Sequence, residues 1–255
     1  MGTALITGAT SGIGKEFAWQ LAGEGNDIVL VARNRERLDA LAEQITNFTG
    51  QQVETLSADL SSEEGARTVG QRVADKERPI GLVINNAGFG LGQQFLGGSL
   101  DRELEALDVM ARAILIICHH AAQEFAGRGY GTILNVSSMT SLTAQGTYSA
   151  HKAWLRTFSE GLSEILKPHG VGVTVACPGL VHTEFHERTN VDSSQWPELA
   201  FTPVHRVVAK SLDAARCGQV IVTPSIKYTG VAAAIRVMPR WLVRKVAGPG
   251  RSGLE

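Results

Sequence analysis

The chain has 255 residues, 44% of them hydrophobic and 19% charged, which suits a soluble globular protein with a sizeable core and excludes a disordered or fibrous one. Its formal net charge of -1 gives no electrostatic reason to expect nucleic acid. Three widely spaced cysteines, Cys118, Cys177 and Cys217, fit neither a disulfide framework nor a zinc site and point to a reducing, cytoplasmic setting.

The first apolar run begins at Thr3 and leaves no room for a signal or transit peptide, and no run approaches the about 20 residues of a membrane span. Asn47-Phe48-Thr49 matches a glycosylation acceptor, a chance match without secretion. In chain order, Thr3 to Thr7 reads as a strand, Ile13 to Gly23 as a helix and Asp27 to Ala32 as a strand. Arg35 to Thr46 is helical, with Leu38, Leu41 and Ile45 on one face. A strand at Val53 to Ala58, a helix at Ser61 to Lys76 and a strand at Ile80 to Asn85 follow. Leu100 to Phe125 is one long helix or two. A strand at Gly131 to Ser137, a helix at Tyr148 to Leu166, and strands at Val171 to Ala176 and Gln219 to Val222 complete the pattern. Apolar strands alternating with helices predict an α/β fold, a doubly wound parallel sheet in a single domain over residues 1–255.

Two segments carry chemistry. In Thr7-Gly8-Ala9-Thr10-Ser11-Gly12-Ile13-Gly14, glycines between a strand and a helix let the backbone turn sharply and approach a pyrophosphate, while the helix dipole faces the phosphates. The spacing is Gly-x3-Gly-x-Gly rather than Gly-x-Gly-x-x-Gly. Tyr148 and Lys152 sit four apart, one helical turn from each other. An ammonium beside a phenol lowers its pKa and makes an acid/base pair. The same spacing also occurs on ordinary solvated helices.

These segments, with Asn85-Asn86-Ala87-Gly88, Ser138 and Cys177-Pro178-Gly179, come in an order that resembles the short-chain dehydrogenases/reductases from about Thr3 to Val222. The resemblance implies a Rossmann domain with a seven-stranded parallel sheet, usually in a homodimer or homotetramer, that interconverts a ketone or aldehyde and an alcohol with a nicotinamide cofactor and no metal. It implies a catalytic set of Ser138, Tyr148 and Lys152, with Ser137 the less favoured alternative to Ser138. Cofactor contacts are implied for Gly8, Ser11, Gly12, Ile13 and Gly14, for Asp59 and Leu60 at the adenine, and for Asn86 and Gly88 along the ribose. Asn86 and Gly88 can equally brace the central sheet. Tyr148, Lys152, Pro178, Gly179 and Thr183 are implied at the nicotinamide.

An acidic residue ending the second strand would favour NAD(H) by bonding the ribose 2′-OH. Here that strand ends Val31-Ala32-Arg33-Asn34-Arg35, with Asp27 at the far end. Arg33 can grip a 2′-phosphate, with Arg35 and Lys15 adding positive field, so NADP(H) is expected over NAD(H). The alternative makes Arg33, Arg35 and Arg37 a solvated helix start. Two departures stand out. Met110 occupies the place of a family Asn that holds a proton-relay water, and the segment from Ser138 to Tyr148 is short for the family. Both leave the acid/base pair intact but bear on proton replenishment and pocket shape, and Met110 alone supports the alternative function, a dinucleotide-binding redox sensor with little turnover.

The 180–203 segment, with Phe185, Trp196 and Phe201, matches the family's substrate lid; with Met139 and Leu142 it suggests an apolar, lipid- or steroid-like substrate, although the aromatics can instead anchor the lid. The tail, 226–255, mixes apolar residues with Arg236, Arg240, Arg244 and Lys245, a composition suited to weak membrane-surface contact or to subunit packing. His119 and His120 lack further ligands at metal spacing and read as structural.

Overall fold

In the computed structural model, which describes residues 2–183 and 197–248, seven strands form one sheet in the order β3-β2-β1-β4-β5-β6-β7. The strands are β1 Thr3–Thr7, β2 Asp27–Ala32, β3 Val53–Ser57, β4 Leu82–Asn85, β5 Gly131–Val136, β6 Val171–Ala176 and β7 Ile221–Val222. Every adjacent pair is parallel, in registers such as Leu5 with Val29 and Val83. Alternate strand residues serve opposite faces. Leu5, Val29, Val31, Val83 and Ile133 join one core layer, while Ile6, Ile28, Leu30, Ile84 and Leu134 join the other.

Helices α1 (Gly12–Gly23), α2 (Arg35–Thr49) and α7 (Val204–Arg216) cover the second face, burying Phe17, Leu21, Leu38, Ile45 and Leu212. Helices α3 (Glu63–Val73), α4 (Leu100–Leu107), α5 (Ala113–Arg128) and α6 (Thr147–Leu166) cover the first. The tail adds α8 (Ile226–Val237) and α9 (Arg240–Val246), parted at Pro239. No helix among the described residues is long and apolar enough to cross a membrane.

Element types agree with expectation, and boundaries shift where caps decide them. Helix α2 runs past Thr46 until Gly50, at φ 75°, donates to the Thr46 carbonyl. Helix α3 starts at Glu63 rather than Ser61, because the Ser62 hydroxyl accepts from Gly65 N and caps it. The long segment after β4 is α4 and α5 joined by a π-turn, Asp108–Arg112, with Met110 fully buried at its centre. His120 packs against Gly70 of α3, where a Cβ would collide with its ring, in keeping with a structural role.

A buried polar chain ties β4, β5 and α6. Asn85 Nδ2 donates to Asn135 Oδ1 at 2.9 Å, and Asn135 Nδ2 donates to Ser159 Oγ at 2.8 Å. Ser159 Oγ donates on to the Leu155 carbonyl at 2.7 Å. Truncation in its middle takes one partner from each of Asn85 and Ser159, so Asn135→Ala is expected to cost about 1–3 kcal/mol by urea denaturation, more than Ser159→Ala.

Candidate active site

A cavity of about 1390 Å³ runs along the C-terminal edge of the sheet, bordered by the segments that follow β1 to β6. It spans the point where strand order reverses between β1 and β4, where open α/β sheets bind ligands. Its volume exceeds the roughly 300–1,000 Å³ of a drug-sized pocket and suits a dinucleotide with a second small molecule.

The turn after β1 places Gly8, Ser11, Gly12 and Ile13 on the cavity wall. Gly8 and Gly12 have φ of 64° and 51°, a region that favours glycine. A Cβ on Gly12 would press against Thr183, so this turn and the segment after β6 meet. The first turn of α1 carries no acid, and Ser11 does not cap the helix with its side chain, leaving a positive helix end toward the cavity. Gly14 is packed inside the turn. It lies off the wall, where a Cβ would collide with the Gly8 carbonyl and the Asn86 amide, so its glycine is required by the turn's own packing. Asn86 donates to the carbonyls of Thr7 and Gly8 at 3.0 and 3.3 Å, while Thr7 Oγ1 accepts from Asn86 N and Ala87 N. Asn86 therefore braces the sheet while also lining the cavity.

At the end beside β2 and β3 the wall carries Arg33, Asp59 and Leu60, together with Asn34 and Arg37. Arg35 instead pairs with Asp39 at 3.1 Å, and neither it nor Lys15 reaches the wall. Helix periodicity accounts for the exchange, since Asn34 caps α2 and accepts from Arg37 N at 2.7 Å. Arg37 also donates to the Thr10 carbonyl, which holds it beside the glycine turn. The sequence shows Arg37 only as part of a solvated helix start; cap spacing from Asn34 was the signal that could have found it. Asp27 bonds Gln52 N at the opposite end of β2. Arg33 pairs with Glu105 at 3.4 Å. Burial pushes the Asp59 carboxyl up, but hydrogen bonds from Ser61 N and Oγ, with the Arg33 charge, bring it net below the usual value.

At the other end Ser138, Tyr148 and Lys152 share the wall. Ser138 and Tyr148 are hydrogen-bonded through their side chains. Ser137 is buried and donates to the Lys152 carbonyl at 2.8 Å, a structural bond. Lys152 Nζ donates to the Val136 carbonyl at 2.9 Å and lies 5.7 Å from the Tyr148 ring centroid. Burial lowers the Lys152 ammonium to about 8 against the opposing pull of Cys177. The tyrosine is corrected in sign. Burial raises the Tyr148 pKa, and the Ser138 hydrogen bond offsets only part of the rise. Burial thus outweighs, in the net shift, the lowering expected from a neighbouring ammonium.

Gly88 faces both Lys152 Nζ and Met110 Sδ, which a Cβ there would meet at 3.4 and 3.5 Å. The Pro178 carbonyl accepts from Met139 N, and Gly179 admits the Tyr228 ring of α8, where a Cβ would collide. Of the lid residues, Phe185 and Trp196 lie outside the described residues. Phe201 is buried and stacked on His182 at 3.7 Å, off the cavity wall. Met139 lines the cavity and Leu142 does not; Tyr228, Val231 and Ile235 of α8 supply further apolar wall. A clasp unseen in the sequence holds the start of α6. Glu103 accepts from Thr147 Oγ1 at 2.7 Å and from Gln93 Nε2 at 3.2 Å, and Gln93 is bonded in turn to Ser99.

Glycine turn, positive helix end, arginines and acid/base pair on one wall define a dinucleotide-dependent oxidoreductase site. The short chain dehydrogenase family model matches residues 2–194. The chain is 30% identical over 184 residues to the 3-oxoacyl-[acyl-carrier-protein] reductase FabG of Aquifex aeolicus, covering 71% of this chain and 74% of that one. Its structure is similar to a short-chain dehydrogenase from Sphingobium yanoikuyae in complex with NADPH (TM-score 0.84, 31% identity, 92% and 94% coverage). A bulky-bulky ketone specific alcohol dehydrogenase from Comamonas testosteroni is also similar (TM-score 0.80, 28% identity, 92% of each chain). The chain belongs to the short-chain dehydrogenase family, oxidoreductases that bind a nicotinamide dinucleotide and interconvert CH–OH and carbonyl groups.

Because Thr147 precedes Tyr148, releasing the Glu103 clasp should misplace the phenol. Glu103→Ala is expected to lower kcat by about tenfold with the cofactor KM unchanged, and Glu103→Gln to retain most of it, read by steady-state kinetics.

Proposed function

We propose that the chain is an NADP(H)-dependent reductase/dehydrogenase that interconverts an apolar ketone or aldehyde with its alcohol. The observation carrying this reading is the hydrogen-bonded Ser138 and Tyr148 pair on the wall of the cavity that also holds the phosphate turn and Lys152. When bound, a nicotinamide dinucleotide supplies or accepts the hydride. The chain's residues do the rest. Gly8, Ser11, Gly12 and Ile13 would hold the pyrophosphate, and Lys152 the nicotinamide ribose. Pro178, Gly179 and Thr183 would flank the nicotinamide, and Asp59, Leu60, Asn86 and Gly88 the adenosine half. Ser138 orients the carbonyl oxygen. Tyr148 Oη gives that oxygen its proton in reduction and takes one from the alcohol in oxidation, and the Lys152 charge stabilises the phenolate left behind.

The 2′-phosphate preference rests on Arg33 and Arg37 beside the end of β2, where the strand itself supplies no acid. The apolar substrate rests on Met139, Leu180, Val231 and Ile235 in the wall, and a bulky ketone or an acyl chain, as in the substrates named for the relatives above, fits that lining. Residues 180–203 would cover the substrate, and Leu180, Val181, Thr183 and Ala200 from that segment reach the wall. An apolar stripe on α6, where Trp154 stacks on Phe158 at 4.9 Å and Ile165 is exposed, supports a homodimer or homotetramer. A cytoplasmic setting agrees with three free thiols. Met110, buried where the family resemblance places an Asn, favours a second reading, a dinucleotide-binding sensor with slow turnover, because a thioether is a poor acceptor for a relay.

Three measurements test the proposal. In a ketone and aldehyde panel followed by NADPH absorbance, Tyr148→Phe should lower kcat by about 10²–10⁴-fold; no loss, or no turnover across the panel, removes the enzyme reading. The rate of reduction should fall as pH rises through about 8, where the Lys152 charge is lost, while Tyr148 stays protonated across this range. Arg33→Ala with Arg37→Ala should raise the NADPH KM by about tenfold or more and leave the NADH KM nearly unchanged.

A further inference from the structure

Helix α8 is apolar on two opposite faces. Tyr228, Ala232 and Ile235 recur at helical spacing on the inner one, where Ala232 is buried and Tyr228 and Ile235 line the cavity. Ile226, Gly230, Ala233 and Val237 recur on the outer one, where Ile226 is 92% and Val237 86% exposed. A helix with two apolar faces needs a cover on each, and this one covers only the inner face with its own chain. Further apolar side chains are exposed near both ends of the helix: Leu199, whose carbonyl accepts from Lys227 Nζ, is 88% exposed, and beyond Pro239 Trp241 on α9 is 60% exposed.

Charge says what covers this face. Between residues 226 and 246 there are five cations, Lys227, Arg236, Arg240, Arg244 and Lys245, and no Asp or Glu. All five are exposed. Glu198, next to Leu199 in the chain, pairs with His182 at 3.0 Å. A second copy docked face to face would set these cations against their own equivalents, which disfavours self-association here. We propose that the outer face of α8, with Leu199 and Trp241, docks on an anionic lipid surface, the apolar side chains entering the headgroup layer and the cations meeting lipid phosphates and carboxylates.

This deepens the apolar-substrate reading and rests on it in one respect: the inner face of the docked helix walls the substrate end of the cavity, so an apolar ketone would enter from the lipid side. Docking itself needs neither cofactor nor turnover. The tail is also tied to the catalytic loop, since Ala144 N donates to the Ala247 carbonyl and Arg240 to that of Leu142.

The test is sedimentation of the full chain with sucrose-loaded vesicles of phosphatidylcholine alone or with about 30 mol% phosphatidylserine. Pelleting is expected with the anionic vesicles only, weakening as salt rises. Ile226→Glu with Val237→Glu should lower the partition coefficient about tenfold or more. Arg236→Gln with Arg244→Gln and Lys245→Gln should do the same and leaves the apolar face intact, should the first variant fold poorly. Neither set touches the catalytic residues, so activity on a water-soluble ketone should persist. No pelleting of the parent chain with anionic vesicles overturns the proposal, as does equal pelleting of a folded variant. A smaller oligomer in the first variant, from a parent chain that ignores vesicles, would make the face a contact between copies and also overturn it. Failure of the ketone panel would remove the enzyme reading and leave the vesicle result standing.

Discussion

Three consecutive residues of β5 and its end are each bonded to α6, and the site depends on that seam. Asn135 reaches Ser159, the Val136 carbonyl receives Lys152 Nζ, and Ser137 Oγ reaches the Lys152 carbonyl. Together they fix the height and rotation of α6 against the sheet, and so the position of Tyr148 one turn before Lys152. A buried ammonium is costly unless it is bonded. Here a single carbonyl bonds it, and burial still draws its pKa down toward neutrality. The lysine is thereby poised, and the tyrosine beside it is kept protonated.

The rest of the site is brought to this seam by contacts between loops of distant strands. Thr7 and Asn86 lock the turn after β1 to the one after β4. Gly12 closes on Thr183, and Pro178 bonds the residue after Ser138. Glu103 and Gln93 pin the first turn of α6 from the opposite side. The tail then holds the same catalytic loop from outside, through Ala247 and Arg240. Cofactor end, acid/base pair and tail thus form one mechanical unit, and α8 is at once a wall of the cavity and part of the molecular surface.

Some of this was legible in the chain. The alternation of apolar strands with helices gives the doubly wound sheet, because parallel strands covered on both faces must be apolar throughout. The glycine turn and the Tyr148, Lys152 spacing are local, and local geometry follows from local sequence. Gly14 shows the limit: its spacing reads as phosphate contact, yet its reason is a collision with Gly8 and Asn86, a residue more than seventy positions away. Phe201, which the sequence leaves open as lid lining or anchor, is buried against His182.

By itself the sequence determined the layers, the strand count and the one-turn spacing of Tyr148 and Lys152, since periodicity and short spacings survive in one dimension. The tertiary structure alone decided which of three nearby arginines line the cavity, which serine meets the tyrosine, the sign of the Tyr148 shift, the Glu103 clasp and the two-faced exposure of α8. Each of these depends on burial or on pairs far apart in the chain. Desolvation and long-range hydrogen bonds are properties of a packed volume, and they acquire values only when the loops have closed around it.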